Sequence, residues 1–216
     1  MSTDLNQQIT NALQWRYAAK QFDATKKIRE QDWKVIQASL TQAPSSYGLQ
    51  PWKFLIIQNP EIRQKLREVS WNQGQVTDSS HYVVLTYKAK MDEQHVTKFI
   101  ERTAAVRGAN PETLEGYKNM MIGDLVNGPR SQVIEAWAQR QTYIAMGFAM
   151  ETAALLNVDT CALEGLDPQA YDKILNLEGT GYKTVAALAF GYRHADDKYQ
   201  SAKKVRFEDK DVVQVI

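Results

Sequence analysis

The sequence is poor in cysteine and in long apolar runs, and each scarcity excludes a class of protein. Its 216 residues include one cysteine, Cys161, so no intrachain disulfide can form, which suits a reducing compartment. No apolar run approaches the roughly 18 residues that a membrane span requires, so no membrane partner is expected. Residues Met1–Asn6 lack the basic and apolar segments of a signal peptide. We therefore expect a cytoplasmic protein.

An excess of charge of one sign is also missing. The 26 Lys and Arg residues balance 25 Asp and Glu residues to a formal net charge of +1, so we expect no nucleic-acid partner. Hydrophobic residues make up 44% and charged residues 24%, which is typical of a globular protein. Because no linker, repeat or low-complexity tract divides the chain, we predict a single domain over residues 1–216.

The best-known motifs of several enzyme classes are absent. There is no Gly-x-Gly-x-x-Gly, no P-loop and no Gly-x-Ser-x-Gly, so the sequence favours neither a Rossmann dinucleotide site nor a serine hydrolase. The three histidines lie far apart, and we predict no metal site. Cys161 lies in an apolar run and is interpreted as an inert core residue.

Strands and helices are interspersed without a regular βαβ series, which indicates an α+β fold with few strands and many helices. Apolar runs predict strands at 54–57, 82–87, 159–163 and 183–190, and an extended tail at 211–216. A polar, mostly helical excursion is expected at about 92–127. A long, largely buried helix is expected from Pro129 to Leu156.

The segment Ala43–Trp52 holds two prolines, two serines and a glycine between a helical pattern and a strand pattern. The prolines restrict the backbone dihedral angles, the glycine permits unusual ones, and the serines offer hydroxyl and N–H donors. Taken alone, the segment is either an ordinary helix-to-strand connection or a loop that binds a ligand.

Two short segments concentrate positive charge. Arg16 and Lys20 follow a helix predicted from the spacing of Leu5, Ile9, Ala12 and Leu13. Lys203, Lys204 and Arg206 lie near the C-terminus. Arginine offers a planar fork and lysine a compact charge for phosphate. Each segment alone is compatible with solvated surface, whereas together they fit one phosphate.

The order of these segments resembles one enzyme family. The resemblance runs from about Leu5 to Arg206 and rests on the following features: Arg-x-x-x-Lys-x-Phe at 16–22, Pro-Ser-Ser-x-x-x-Gln-Pro-Trp at 44–52, Asn72, Asp-Ser-Ser-His at 78–81, Glu164-Gly165, Lys204 and Arg206. The sequence thus resembles the FMN-dependent nitroreductase family, in the branch of oxygen-insensitive NAD(P)H nitroreductases and dihydropteridine-reductase-like enzymes.

The resemblance implies a three-layer α+β fold in which helices flank a central, mostly antiparallel sheet. It also implies a homodimer that exchanges its C-terminal strand and shares its FMN sites at the interface. The extended tail at 212–216 agrees with this implication, because an unpaired apolar strand needs a neighbour. The long helix from Pro129 to Leu156 would form the core of the interface.

The resemblance assigns site residues one by one. Arg16, Lys204 and Arg206 resemble the phosphate-binding cations, and Tyr17 and Ala18 belong to the same FMN-contacting turn. Lys20 and Asn72 resemble the groups at the flavin pyrimidine edge. The remaining implied contacts are Leu163, Glu164 and Gly165 facing flavin N5, Gln141 on the long helix, and Ser45, Ser46 and Tyr47 from the partner subunit.

Two positions depart from the family pattern, and neither is expected to prevent FMN binding. Ala162 stands where relatives carry proline, and Gln75 stands where they carry lysine. Trp71 and the Met120–Met121 pair are candidate pocket walls, although core positions are the favoured interpretation.

The activity implied is the reduction of nitroaromatics, quinones or related acceptors by NADH or NADPH in a ping-pong cycle. No catalytic side chain is assigned, since the flavin carries the hydride chemistry. Two alternatives stay open. One is a flavin or quinone reductase with incidental nitroreductase activity, and the other is an FMN-binding protein without turnover.

Overall fold

A four-stranded sheet lies at the centre of a computed structural model that describes residues 4–216. The strands are β1 Trp52–Ile56, β2 His81–Lys88, β3 Asp159–Leu163 and β4 Tyr182–Gly191. Their order is β1-β2-β4-β3, and every neighbouring pair is antiparallel. The four strands predicted from apolar runs are therefore confirmed. Residues 1–3 of the predicted domain lie outside the described part.

Nine α-helices surround the sheet in the described part of the chain. They are α1 Leu5–Trp15, α2 Glu30–Gln42, α3 Pro60–Glu68, α4 Gln75–Asp78, α5 Glu93–Arg107, α6 Glu115–Leu125, α7 Ile134–Leu155, α8 Pro168–Ile174 and α9 Asp209–Val212. Three short 3₁₀ helices cover Ser46–Gly48, Pro111–Leu114 and Pro129–Val133. The helix predicted to begin at Pro129 thus starts with a 3₁₀ turn.

The alternation of side chains along β2 divides the core into two layers. Tyr82 and Val84 pack in a cluster with Leu66 of α3 and Tyr171 of α8. On the opposite face, a second cluster joins Val83 and Leu85 of β2 to Trp33, Ile36 and Leu40 of α2 and to Met146, Ala149 and Ala153 of α7. Helices therefore cover both faces of the sheet, which confirms the three-layer fold.

The stretch 92–127 contains α5, the 3₁₀ helix Pro111–Leu114 and α6. Its inward residues are buried in a third cluster, where Val96 and Met121 pack with Leu49 and with Trp137 of α7. Few apolar residues are needed for this packing, because the neighbouring loop and α7 supply the rest of the apolar surface. The core interpretation is right for Met121, whereas Met120 is half exposed.

The tail differs from the extended segment predicted at 211–216. Residues Asp209–Val212 form the one-turn helix α9, while Val213–Ile216 belong to no strand. Acidic side chains in the first turn, Asp209 and Asp211, favour the helix through its dipole. The tail is exposed throughout, and its exchange with a partner stays a prediction.

No helix within residues 4–216 has the length and apolar character required to cross a bilayer. The same residues contain no group of three or more His, Cys, Asp or Glu side chains placed to hold a metal ion.

Candidate functional site

The two basic segments, distant in sequence, meet in one cleft of about 530 Å³. Six of the predicted site residues line it, namely Arg16, Tyr17, Ala18, Lys20, Lys204 and Arg206. Arg193, which the sequence did not point to, lines it as well. We call this feature the basic cleft.

The edge of the sheet positions the first basic segment. After α1 ends, the chain runs parallel to β3, where Ala18 pairs with Thr160 and the N–H of Ala19 donates to the Thr160 carbonyl at 3.1 Å. Since a strand rises about 3.3 Å per residue, Glu164 lies roughly 13 Å along β3 from Thr160. The basic cleft and the end of β3 are therefore two ends of one edge.

Lys204 closes the carboxyl end of α1. Its ammonium group donates to the carbonyl oxygens of Leu13 and Arg16, each at 2.5 Å. This contact joins the C-terminal segment to the start of the chain and suits the negative end of the helix dipole. An ammonium group has three donors, so one N–H is left for another acceptor.

Positive charges crowd together around Lys204. Burial lowers the pKa of Lys204, and the nearby charges of Arg16 and Arg206 lower it further, while Glu151 opposes the shift. Glu151 makes no ion pair with any of these cations, and no carboxylate within residues 4–216 pairs with Arg16, Lys204 or Arg206. An anion bound among them would relieve this repulsion.

One donor in the basic cleft lacks an acceptor. Arg16 Nε is buried, and among the described residues it has no hydrogen-bond partner. A buried polar group without a partner costs free energy, about 1–3 kcal/mol for a typical donor. The residues present therefore fit an anionic group such as a phosphate, which accepts several charge-assisted hydrogen bonds.

Arg193 has a different role from the cations around it. Its guanidinium pairs with the buried carboxylate of Asp159 at 2.5 Å and lies 4.3 Å and 4.5 Å from the ring centroids of Trp15 and Tyr17. Burial raises the pKa of Tyr17, which stays protonated. Arg193 therefore fixes the floor of the basic cleft. Its pairing with Asp159 joins the ends of β3 and β4, and no local sequence signal reveals it.

Asp197 fixes the wall of the basic cleft. Its carboxylate accepts from the backbone N–H groups of Lys20 at 2.7 Å, Gln21 at 3.1 Å and Tyr199 at 2.9 Å. Burial opposes ionisation, yet these backbone hydrogen bonds hold the pKa of Asp197 below its ordinary value. Backbone N–H groups occupy the Asp197 carboxylate, which therefore orders the segment that carries Lys20.

The predicted segment 163–165 follows the end of β3. Glu164 accepts a hydrogen bond from the Tyr143 hydroxyl of α7, and the Gly165 carbonyl accepts from Gln73 Nε2 at 2.9 Å. Trp71 lies directly on Gly165, where a Cβ atom would come within 2.7 Å of the ring. Only glycine therefore allows this contact.

Trp71 itself is 82% exposed, so its interpretation as a core residue is wrong. Next to it, Asn72 is exposed with a φ of 53°, and its two oxygens accept from Arg67 Nε at 3.0 and 3.3 Å. The amide N–H₂ of Asn72 keeps its donors, which is what its predicted role requires.

Gln75, one of the two departures from the family pattern, is buried and lies 3.9 Å from the Cys161 sulfur. It therefore faces the interior. Burial raises the pKa of the Cys161 thiol, which agrees with an inert core cysteine. The other departure, Ala162, is exposed on β3.

The serine-containing loop is held by helices on its own chain. Gln141 Oε1 of α7 accepts from the Ser46 N–H at 2.8 Å, and Asp124 of α6 accepts from the Tyr47 hydroxyl at 2.7 Å. Tyr117 donates to the Tyr47 carbonyl at 3.1 Å. These contacts hold Tyr47 at a φ of 59°, in the left-handed region.

The predicted site residues therefore fall into separate groups. One group lines the basic cleft, and a second lies at the end of β3 with Asn72. The third, which comprises Ser45, Ser46, Tyr47 and Gln141, has no hydrogen bond or ion pair to the other two groups in the described structure. A single chain thus does not unite all of them.

Comparisons with known proteins agree on one family. A model described as the nitroreductase family matches residues 13–192. A protein of Staphylococcus saprophyticus with the provisional name NAD(P)H nitroreductase is 36% identical over 220 residues, which cover 98% of each chain. A Bacillus subtilis protein with the same provisional name is also 36% identical, over 97% of this chain and 98% of its own.

A solved structure extends the likeness to the fold. A protein of Exiguobacterium sibiricum, crystallised in complex with FMN, is 22% identical with a TM-score of 0.79. The match covers all of this chain and 99% of that one. At this level of identity the comparison shows that the two proteins share a fold.

Proposed function

Because this chain belongs to the nitroreductase family, we propose that it is an oxidoreductase that binds FMN and reduces small aromatic acceptors with NADH or NADPH. The observation that supports this most directly is the basic cleft. There, Arg16, Lys204 and Arg206 lack carboxylate partners within residues 4–216, and the same residues offer no acceptor to the buried Arg16 Nε. An FMN phosphate supplies the missing acceptors.

Three side chains and one turn hold the phosphate in this proposal. Arg16 and Arg206 offer guanidinium donors, and Lys204 offers the N–H that α1 leaves free. Tyr17 and Ala18 form the turn beside them. Because Arg193 is already paired with Asp159, it supports the turn without binding the phosphate.

The ring system lies along the β3 edge, from Lys20 in the basic cleft to Gly165 beyond the end of β3. When bound, FMN supplies a ring that accepts and passes on a hydride. Lys20 contributes a positive charge and Asn72 contributes amide donors toward the polar edge of the ring, which stabilises negative charge there. The backbone of 163–165 offers N–H donors, and Trp71 gives an aromatic wall beside Gly165.

In the proposed cycle, NAD(P)H and the molecule to be reduced occupy the same place in turn. Since Lys20, Asn72 and Trp71 are all exposed, the ring-binding part of the β3 edge is open to successive ligands. NAD(P)H leaves before the acceptor enters, so the initial-velocity plots for the two substrates should give parallel lines. Intersecting lines would show that both are bound together and would exclude the shared place.

A homodimer completes the site. Exposed apolar side chains run along α1 at Leu5, Ile9 and Leu13, along α7 at Ile144, Phe148 and Leu155, and along the tail at Val212, Val213, Val215 and Ile216. Large exposed apolar surface of this kind marks an interface. In this proposal the partner's copy of the 45–47 loop covers the ring, which explains why that loop does not reach the cleft of its own chain.

The decisive experiment is a spectrum of the purified protein, reconstituted with FMN where necessary. We expect a yellow protein that bleaches anaerobically with NADH or NADPH and recovers on addition of a nitroaromatic or a quinone. A colourless protein that cannot take up FMN would refute the proposal. A yellow protein that neither nucleotide reduces would indicate FMN binding without turnover, and turnover compared across quinones, nitroaromatics and free flavin identifies the preferred acceptor.

The phosphate assignment has its own test. Arg206→Ala should weaken FMN binding about tenfold, because a charge-assisted hydrogen bond is lost. Lys210→Ala is the matched control, since Lys210 is exposed, lies on the same tail and pairs only with Glu208. Equal FMN affinities in the two variants would remove Arg206 from the phosphate site.

A further inference from the structure

A second cavity, of about 590 Å³, lies away from the basic cleft. It is bounded by the segment after β1, by α3 and by the start of β2, and we call it the α3 pocket. Its polar lining includes Lys27, Arg63, Ser80 and His81, and Ile57 and Pro60 give it an apolar side. No Asp or Glu residue of the described chain lines it.

Arg63 brings a buried positive charge to this cavity. Its side chain is only 8% exposed, and it makes no ion pair in the part of the chain that the structure describes. Nε donates to the Val76 carbonyl at 2.6 Å, and Nη2 donates to Ser79. No described residue accepts from Nη1. A buried charge without a counter-charge is costly, so this guanidinium is set up for an anion.

His81 adds a neutral donor. The Ser80 hydroxyl accepts from the Ile28 N–H at 2.9 Å and lies 3.1 Å from His81 Nδ1, a distance at which it can donate its own proton to that nitrogen. In the tautomer in which Ser80 donates to Nδ1, the ring proton of His81 lies on Nε2, for which the described residues offer no acceptor. The ring stacks on Trp33 with centroids 3.9 Å apart, which fixes its orientation.

The local field in the α3 pocket is positive. Burial, together with the charges of Arg63 and Lys27, lowers the pKa of His81 to about 4. His81 is therefore neutral at pH 7, and its Nε2-protonated tautomer offers a donor without adding charge. Asp78 acts on Arg63 from outside the lining, and its carboxylate accepts a hydrogen bond from the Thr77 hydroxyl at 2.8 Å.

We infer that the α3 pocket is a second binding site, distinct from the basic cleft, for a small molecule that carries a phosphate group. Lys27, the free edge of Arg63 and His81 Nε2 bind the phosphate, and Ile57 and Pro60 contact the apolar remainder. A cavity of this volume is in the range of small-ligand sites. The inference does not depend on FMN binding, because the α3 pocket shares no lining residue with the basic cleft.

NMR of the histidine rings tests this inference, since the chain has three histidines and His81→Gln assigns the relevant signal. The protein, saturated with FMN where it binds FMN, is titrated with inorganic phosphate and then with phenyl phosphate at constant pH and ionic strength. We expect a saturable shift of the His81 signal, with tighter binding of phenyl phosphate. Equal affinities would leave the phosphate contacts standing but overturn the apolar contact.

Two variants distinguish phosphate binding in the α3 pocket from phosphate binding in the basic cleft. Lys27→Gln should weaken the titration at His81 about tenfold, because a charge-assisted contact is lost. Arg206→Gln, in the basic cleft, should leave it unchanged. A shift that does not saturate, or one that Arg206→Gln abolishes and Lys27→Gln preserves, would overturn the second site.

Discussion

Gln141 binds the backbone of Ser46, with its side-chain oxygen 2.8 Å from the amide nitrogen. Its amide nitrogen donates to the Trp137 carbonyl one turn earlier in α7, at 3.0 Å. Both ends of this buried side chain are thus occupied within one subunit. The place near the flavin that the resemblance implies for Gln141 stays a prediction, whereas the structure shows that Gln141 positions the loop that holds Ser45 and Tyr47.

Replacement of Gln141 should therefore loosen the loop. Gln141→Leu removes the acceptor of the Ser46 N–H, and we expect a loss of about 1–3 kcal/mol in the free energy of unfolding, measured with urea. Arg140→Leu, at an exposed neighbouring position, should stay within about 0.5 kcal/mol. If both variants unfold alike, the hydrogen bond does not hold the loop.

The floor of the basic cleft should be a major source of stability. Asp159→Ala leaves Arg193 partly buried without its carboxylate, so we expect a loss of about 3 kcal/mol in the free energy of unfolding. Lys34→Ala breaks an exposed pair with Glu30 and is expected to change it by about 0.5 kcal/mol or less. Similar losses in the two variants would contradict the structural role of Arg193.

Acid should destabilise the fold through His81. Its pKa is about 4 in the folded state, below the ordinary value of 6.5 found in the unfolded chain. The unfolded state therefore takes up the proton first, and stability present above pH 6.5 declines as the pH falls toward 4. His95, whose pKa burial also lowers, acts in the same direction.

Urea unfolding at pH 7, 6 and 5 measures this decline. His81→Gln should flatten it by removing one of the two histidines, and the double variant with His95→Gln should flatten it further. A decline that is equally steep in the single variant and the parent would mean that His81 takes no part.

Trp71 should matter for turnover and hardly at all for folding. Its ring is 82% exposed, so Trp71→Ala should change the free energy of unfolding by about 0.5 kcal/mol or less. As an aromatic wall of the proposed site, it should raise the KM for a nitroaromatic or quinone about fivefold when removed. Trp137→Ala, at a buried position, should instead cost about 3–5 kcal/mol of stability. An unchanged KM in Trp71→Ala would remove this wall from the site.

The dimer should depend on the exposed face of α7. Phe148 is 47% exposed there, and Phe148→Asp places a charge in the proposed interface. We expect the mass measured by light scattering to fall from two chains to one, together with weaker FMN binding. Val106→Asp, on α5 and also exposed, is the control that should keep the dimer. A dimer in both variants would place the interface elsewhere.

The sequence predicts the strands well because β2 and β4 are buried on both faces and therefore read as continuous apolar runs. It does not predict α4, since four residues are too few to show a helical period. It also gives an extended tail where Asp209 and Asp211 favour a helical turn. Contacts between distant segments determine where the strands end and which conformation the tail adopts. A local sequence pattern carries no information on such contacts.

In the candidate site, too, the sequence predicts some residues, whereas the contacts of others depend on the fold. Local residue types point to Arg16, Lys20 and Arg206, and the structure gathers them in one cleft. The pairing of Arg193 with Asp159 and the capping of α1 by Lys204 depend on how β3, β4 and the tail meet in space. The roles of these residues toward FMN stay predictions that the experiments above will test.

The attachment of Tyr47 to α6 has an evolutionary consequence. Asp124 and Tyr117 hold this residue at two points, while the basic cleft is lined by residues from 14–20 and 193–206. Substitutions in α6 can therefore reshape the loop without disturbing the residues proposed to bind phosphate. Under the proposed function, selectivity toward acceptors would then change through one part of the chain while the hold on the cofactor depends on another.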